Sequence, residues 1–215
     1  MKTVLSTKKL SISQRERLLR NGLAVVDYDF IACQYLNFTK PTTVVENAIF
    51  TSQNGVKATL GHDVVIKNVF CVGKRTEKLL NEKGYTVTEM GCNAQELSEK
   101  IIEGYNQKQF TYFCPEKRLD TLPNRLQQHK VAFEEIPVYR TLATPREYTQ
   151  VFDAILFFSP SGVESYFSIN KEVAQHFSIG ITTATALKKY TNQYIVANKP
   201  SVENVLVKVI KHFKS

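Results

Sequence analysis

The sequence predicts an α/β protein of two similar lobes, each a parallel sheet flanked by helices. Three observations carry this. Short, nearly continuous apolar runs alternate with polar, helix-like stretches, the pattern of strands covered on both faces. The segment "AIFTSQNGVKATL" (48–60) returns as "ILFFSPSGVESYF" (155–167), each a strand, a Ser/Gly turn and the start of a helix. The composition, 43% hydrophobic and 22% charged over 215 residues, is that of an ordinary globular chain long enough for one or two cores.

The repeat runs through the whole chain. Ser159 lies 107 positions after Ser52 (159 − 52 = 107), and Gly55/Gly162 and Val56/Val163 keep that spacing. "VFCVGKRTEKLL" (69–80) lies over "HFSIGITTATAL" (176–187), and "ELSEKIIEGY" (96–105) lies near "ENVLVKVIKHF" (203–213). Residues 3–31 lie over 111–139 at a shift of 108 (139 − 31 = 108), with Leu18 on Leu126. A constant offset over four segments argues for duplication. Taken alone, it suggests two contiguous halves.

Each element has a local reason. "TVLST", "LAVVDYDF", "NAIFTS", "NVFCVG" and "YTVTEM" are the strand runs of the first half. "TYFCP", "VAFEEIPVYR", "DAILFFS", "HFSIGI" and "NQYIVAN" are those of the second. They are rich in β-branched and aromatic residues. "SQRERLLRNG", "NGVKATLG", "RTEKLLNEKG" and "TTATALKKYT" supply helices, with Gly after three of them as a stop signal. Arg15, Arg17 and Arg20, interrupted by Glu16, suit the wet face of a helix.

Bulk chemistry removes several function classes. No apolar run approaches a membrane span. Lys8 and Lys9 stand where a signal peptide needs its apolar stretch, so the expected compartment is the cytoplasm. Cys33, Cys71, Cys92 and Cys114 form no CxxC pair and are expected as buried free thiols. His62, His129, His176 and His212 are scattered, so no metal site is expected. The net charge of +8 is spread along the chain with no nucleic-acid-binding signature. A small polyanionic ligand remains.

The repeated turns suit such a ligand. In "VGKRTEKLL", Gly73 permits a tight turn into a helix whose first N–H groups favour an anionic oxygen, and Thr76 adds a hydroxyl. "IGITTATALKK" repeats this with Gly180, Thr182 and Thr183; the threonines serve equally as helix caps. Ser52 with Gly55, and Ser159 and Ser161 with Gly162, lie on the other pair of turns. G-x-S-x-G is missing, so these serines point to capping and ligand hydrogen bonding, not to nucleophilic attack. Tyr139 is either an amphipathic strand residue or a general acid. Arg140, Lys117 and Arg118 are candidate anion contacts or solvated side chains.

In order, "FTSQNGV", "CVGKRT", "VYRT", "FFSPSGV", "IGITTATAL" and "ANKPSVENVL" resemble the uroporphyrinogen-III synthase family, over nearly the whole chain. The resemblance implies two lobes joined by a two-stranded linker, with the cleft between them. It also implies a swapped order. Residues 1–29 with 143–215 form lobe one, 43–134 form lobe two, and 30–42 and 135–142 are linkers. It implies closure of hydroxymethylbilane, which carries eight carboxylates, to uroporphyrinogen III with loss of water and inversion of ring D. It implies no cofactor, no metal, a monomer, and hydroxymethylbilane synthase as functional neighbour. It maps the catalytic tyrosine onto Tyr139. The substrate-binding positions fall on Ser52, Gly55, Gly73, Thr76, Ser159, Ser161, Gly162, Thr182 and Thr183. The family often has proline where this chain has Ile181, and a Gly-rich stretch where it has "CPEKRLD" (114–120). A non-catalytic two-lobed binding domain for an anionic small molecule is the rival reading.

Overall fold

The structure, a computed structural model, describes residues 1–39, 44–171 and 174–214. In chain order the elements begin β1 (Lys2–Ser6), α1 (Ile12–Leu19), β2 (Leu23–Asp27), β3 (Ile31–Tyr35), β4 (Val44–Phe50), α2 (Gln53–Thr59) and β5 (Val65–Val72). They continue with α3 (Lys74–Glu82), β6 (Val87–Gly91), α4 (Ala94–Tyr105), β7 (Gln109–Pro115), α5 (Thr121–Gln128) and β8 (Ala132–Ala143). They finish with β9 (Ala154–Phe157), α6 (Pro160–Phe167), β10 (Gln175–Ser178), α7 (Ile181–Leu187), β11 (Tyr194–Val196) and α8 (Val202–Lys214).

Two compact units result: Met1–Ala32 with Leu142–Ser215, and Cys33–Thr141. The contiguous halves suggested by the repeat alone are therefore not the packing units. The physical reason is strand pairing: β1 lies between β2 and β9, in register Val4↔Ala154, Leu5↔Ile155 and Ser6↔Leu156. The first sheet has the order β11-β10-β9-β1-β2, and the second β3-β8-β7-β4-β5-β6. The repeat still explains both. A shift of 107 carries β4, β5 and β6 onto β9, β10 and β11, and a shift of 108 carries β1 and β2 onto β7 and β8. The two sheets thus share one strand order, with the chain entering each at a different strand. The segments expected as linkers carry β3 and the end of β8, which are neighbours in the second sheet. Residues 42 and 43, the expected end of one linker and start of lobe two, lie outside the described residues.

Each strand feeds two cores because successive side chains point to opposite faces. In the first unit, Val4 and Leu156 pack with Leu18 of α1 and with Val205 and Val209 of α8. Leu5 and Ile155, one residue away, pack with Val163 and Tyr166 of α6 and Leu187 of α7. In the second, Phe50 and Cys71 face Val56 of α2 and Leu80 of α3. Ile49 and Phe70 face Leu97 and Ile101 of α4 and Leu126 of α5. Covering both faces is what the continuous apolar strands require. On α1, Leu18 is buried while Arg15, Arg17 and Arg20 are exposed, as expected.

Of the cysteines, Cys71 and Cys114 are buried free thiols, but Cys33 and Cys92 are exposed. Cys33 lies on β3, at the edge of its sheet, and Cys92 in the short turn before α4, where little covers either. Among the described residues no helix is long and apolar enough to cross a membrane.

Close packing leaves a testable mark at Gly91. A Cβ there would meet the Leu97 backbone nitrogen at 2.5 Å, so α4 rests directly on the end of β6. Gly91→Ala should destabilise the second unit by about 1–3 kcal/mol through overpacking, read from urea unfolding. Gly104 is exposed near the end of α4, and a Cβ there would meet nothing within 4 Å. It should tolerate alanine and gain up to about 1 kcal/mol in the same measurement.

Candidate functional site

The expected site residues sit where strands give way to helices. β4 ends at Phe50, and Thr51 and Ser52 lead into α2. Ser52 is the N-cap, with extended backbone, and its Oγ accepts the Gly55 N–H at 3.3 Å. Gly55 is buried, and a Cβ there would lie 3.1 Å from the Phe113 carbonyl oxygen. Its glycine lets α2 press onto β7 and hold the cap in place.

Tyr139 reaches this cap from β8, its hydroxyl 2.7 Å from Ser52 Oγ. A bulge puts it there. Cys114 pairs with Pro137, yet Pro115 pairs with Tyr139, so Val138 is the extra residue. Consecutive Val138 and Tyr139 consequently join the same cluster as Phe50 and Val56. The Tyr139 carbonyl accepts from Glu116 N–H at 2.8 Å, which closes the bulge. The neighbouring Thr51 Oγ1 lies 2.9 Å from the Tyr112 hydroxyl, on β7. Two consecutive turn residues are therefore tied to two buried tyrosines, Tyr139 and Tyr112, 6% and 3% exposed.

Burial pushes both phenols up. Tyr112 rises to about 12, desolvation outweighing the Thr51 hydrogen bond. Tyr139 is raised by burial, and the Ser52 hydrogen bond opposes it. Tyr139 thus holds its proton at neutral pH. Either hydroxyl can donate in the Ser52–Tyr139 pair. When Ser52, which accepts from Gly55 N–H, donates to the Tyr139 oxygen, the phenol proton is left for a third group.

The second turn of this unit is Gly73, the N-cap of α3, with φ +84° and no side-chain cap. Glycine suits that left-handed conformation, and its N–H donates to the Gly91 carbonyl at 2.8 Å. Gln53 Nε2 donates to the Arg75 carbonyl at 2.9 Å, joining the starts of α2 and α3. Ser52, Gly55, Tyr139, Gly73 and Thr76 therefore share one end of the second sheet.

In the first unit, Ser159 caps α6, and its Oγ accepts the Gly162 N–H at 3.0 Å. Ser161 is exposed on the first turn and Gly162 is buried. Gly180 caps α7 with extended backbone and no side-chain bond. Since β9 and β10 are adjacent, these turns share one end of their sheet. The threonines are not the caps: Gly73 and Gly180 are. Thr76 and Thr183 are buried, whereas Thr182 is exposed. Ile181, where the family often has proline, is 80% exposed and lines an apolar hollow with Val196 and Pro200.

Arg118 does not stand free as an anion contact. Its guanidinium donates to both Glu135 oxygens and to Asp120 Oδ1, so two carboxylates already meet one cation. Lys117 is exposed, and Arg140 Nε donates to Gln34 Oε1 at 2.8 Å. Sequence reading missed the Thr51–Tyr112 pair, because nothing in an apolar run such as "TYFCP" marks which hydroxyl finds a partner. Among the described residues no group of three His, Cys, Asp or Glu could hold a metal ion.

The raised phenols fix a sign. Above pH 10 the unfolded tyrosines lose protons that the folded chain retains, so stability falls as pH rises through the folded values. Ser52→Ala should cost about 1 kcal/mol through the lost cap and move Tyr139 titration further upward. Ultraviolet tyrosinate absorbance, with Tyr139→Phe identifying the transition, checks the second effect.

This geometry has relatives. The family model for uroporphyrinogen-III synthase HemD matches residues 16–206. The porphyrin biosynthesis protein HemD of Ruminiclostridium josui is 26% identical over 187 residues, covering 76% of this chain and 37% of that protein. The chain thus spans well under half the length of that curated relative. Among solved structures, uroporphyrinogen-III synthetase from Helicobacter pylori superposes with a TM-score of 0.78 at 17% identity, over 99% of this chain and 100% of that one. A mutant uroporphyrinogen III synthase from Thermus thermophilus gives 0.64 at 15% identity, over 99% and 98%. These structures share the fold. The family match runs from within α1 into α8 and so takes in both units with all the turns described above. The chain belongs to the uroporphyrinogen-III synthase family.

Proposed function

We propose that this chain is a hydroxymethylbilane-cyclising lyase, a uroporphyrinogen-III synthase acting in heme biosynthesis. The observation that carries the reading is the Tyr139–Ser52 pair at 2.7 Å, a buried phenol set to release a proton beside a strand-to-helix turn. Family membership supplies the substrate class.

The first step breaks the C–O bond of the terminal hydroxymethyl group. The phenol proton of Tyr139 passes to the departing oxygen, which leaves as water. The adjacent pyrrole nitrogen supplies the electron pair, giving an azafulvenium electrophile. Although burial raises the Tyr139 phenol, hydroxide is far more basic (bulk water has a pKa of about 15.7), so protonating the departing oxygen favours its loss. Ser52, donating to the phenolate as it forms, stabilises it. The substituted carbon of ring D attacks the azafulvenium to form the spiro intermediate. The bond from that carbon to the ring C methylene then breaks, leaving an azafulvenium on ring C, which the free α-carbon of ring D attacks. Loss of that α-carbon's proton gives isomer III and balances the proton that Tyr139 supplied. Positioning supplies the rest of the catalysis.

We assign the eight carboxylates to the capped turns that carry Ser52, Gly55, Gly73 and Thr76 in one unit and Ser159, Ser161, Gly162, Thr182 and Thr183 in the other. The Gly55, Gly73 and Gly162 N–H groups are already donated within those turns, so the direct contacts fall to the exposed Ser161 and Thr182 hydroxyls, the Ser159 hydroxyl and the remaining first-turn N–H groups. The net charge of +8 attracts them. Without the enzyme the bilane closes to isomer I, so we place a monomeric enzyme in the cytoplasm beside hydroxymethylbilane synthase.

The decisive test supplies fresh hydroxymethylbilane, oxidises the products and separates the porphyrin isomers. Isomer III above the protein-free level is expected; isomer I alone, at the spontaneous rate, would leave a binding domain. Tyr139→Phe should lower kcat about 100-fold with little change in KM.

A further inference from the structure

The repeat assigns a counterpart to the catalytic tyrosine. At a shift of 108 Tyr139 falls on Ile31, and at 107 Ser52 falls on Ser159. In the second unit the phenol fills the space beside its serine. In the first, Ile31 and Ser159 line an open cavity of about 220 Å³, together with Thr7, Lys8, Asp29 and Phe158. Resting on the synthase reading, we propose that this cavity is a subsite for one carboxylated pyrrole ring of the bilane, with Lys8 as its carboxylate contact.

The chemistry of the lining selects such a ring. The Lys8 ammonium lies 6.0 Å from the centroid of the Phe158 ring and pairs with no carboxylate among the described residues. It is free to meet an acetate or propionate side chain. Phe158 is half-buried and presents an aromatic surface suited to an offset pyrrole. Asp29 Oδ1 accepts the Lys9 N–H at 2.8 Å, leaving Oδ2 to accept a pyrrole N–H. Ser159 accepts from Gly162 and keeps its own proton to donate. A simple dicarboxylate would meet Asp29 as a like charge, whereas a pyrrole brings an N–H donor to Asp29 and a carboxylate to Lys8. The volume is below the roughly 300–1,000 Å³ of pockets that enclose drug-sized ligands, so it admits one ring and not four.

Two arms test this on the full chain. In steady-state formation of isomer III, Lys8→Ala should raise KM about tenfold with kcat within about twofold, and Lys8→Arg should restore KM. In an amide NMR titration the probe is a 2,5-dimethylpyrrole bearing one acetate and one propionate. It should shift Thr7, Lys8, Lys9, Phe158 and Ser159 in the natural sequence and in Tyr139→Phe, but not in Lys8→Ala. Lys8 is exposed, so its replacement leaves the core intact. An unchanged KM for Lys8→Ala, or amide shifts that persist in that variant, would overturn the subsite. If no isomer III forms at all, the synthase reading fails and the titration alone decides: Lys8-dependent shifts uphold the subsite, and their absence removes it.

Discussion

Parallel pairing of β1 with β9 is the constraint on which the architecture depends. It joins residues about 150 apart in sequence, through Thr7 N–H to the Leu156 carbonyl at 3.0 Å and Asp153 N–H to the Thr3 carbonyl at 2.9 Å. Asp153 reinforces the join. Its Oδ2 accepts from Thr3 N–H at 2.7 Å and its Oδ1 from Lys2 Nζ at 2.8 Å, holding the carboxyl below its usual range, Lys2 contributing most. Parallel strands need a long crossover, and here the crossover is an entire second unit. Such non-local pairing carries a large loop-closure cost, which the apolar surface buried on both faces must offset.

The same topology places every candidate residue at the carboxyl ends of strands, where α/β sheets bind ligands. Within that frame one irregularity sets where Tyr139 points. A regular β8 would send Val138 and Tyr139 to opposite faces; the bulge sends both toward α2. Pro137 has no N–H to offer the ladder, consistent with a break in pairing at that point. The phenol is thereby buried, kept protonated and set against a serine already held by Gly55.

Duplication made two versions of this strand end, and they have diverged in charge and shape. The second unit has Tyr139 against Ser52, with a further hydroxyl, Thr51, held by Tyr112. The first has Ile31 and Phe158 at the matching positions, an open hollow, and Lys8 over the aromatic ring. One end carries a buried phenol; the other carries a cation beside an aromatic face. Arg118 shows how a nominal positive charge can be spent internally, since Glu135 and Asp120 occupy its donors.

Much was legible in the chain itself because it depends on local chemistry. Apolar periodicity located the strands and most of the helices, a constant offset exposed the repeat, and Ser-x-x-Gly turns marked Ser52 and Ser159 as caps. Those signals need only neighbours in sequence. The short edge strand β3, the tie between Thr51 and Tyr112 and the closed network of Arg118 were not legible, because each depends on a distant partner. Local pattern thus specifies which segments form strands and helices, and that there are two sets of them. It takes the folded chain to join β1 to β9, to turn Tyr139 toward Ser52 through a bulge, and to leave Lys8 without a carboxylate partner among the described residues while Arg118 is enclosed. Strand order, register and side-chain pairing are set by contacts between residues far apart in the chain, which no local pattern encodes.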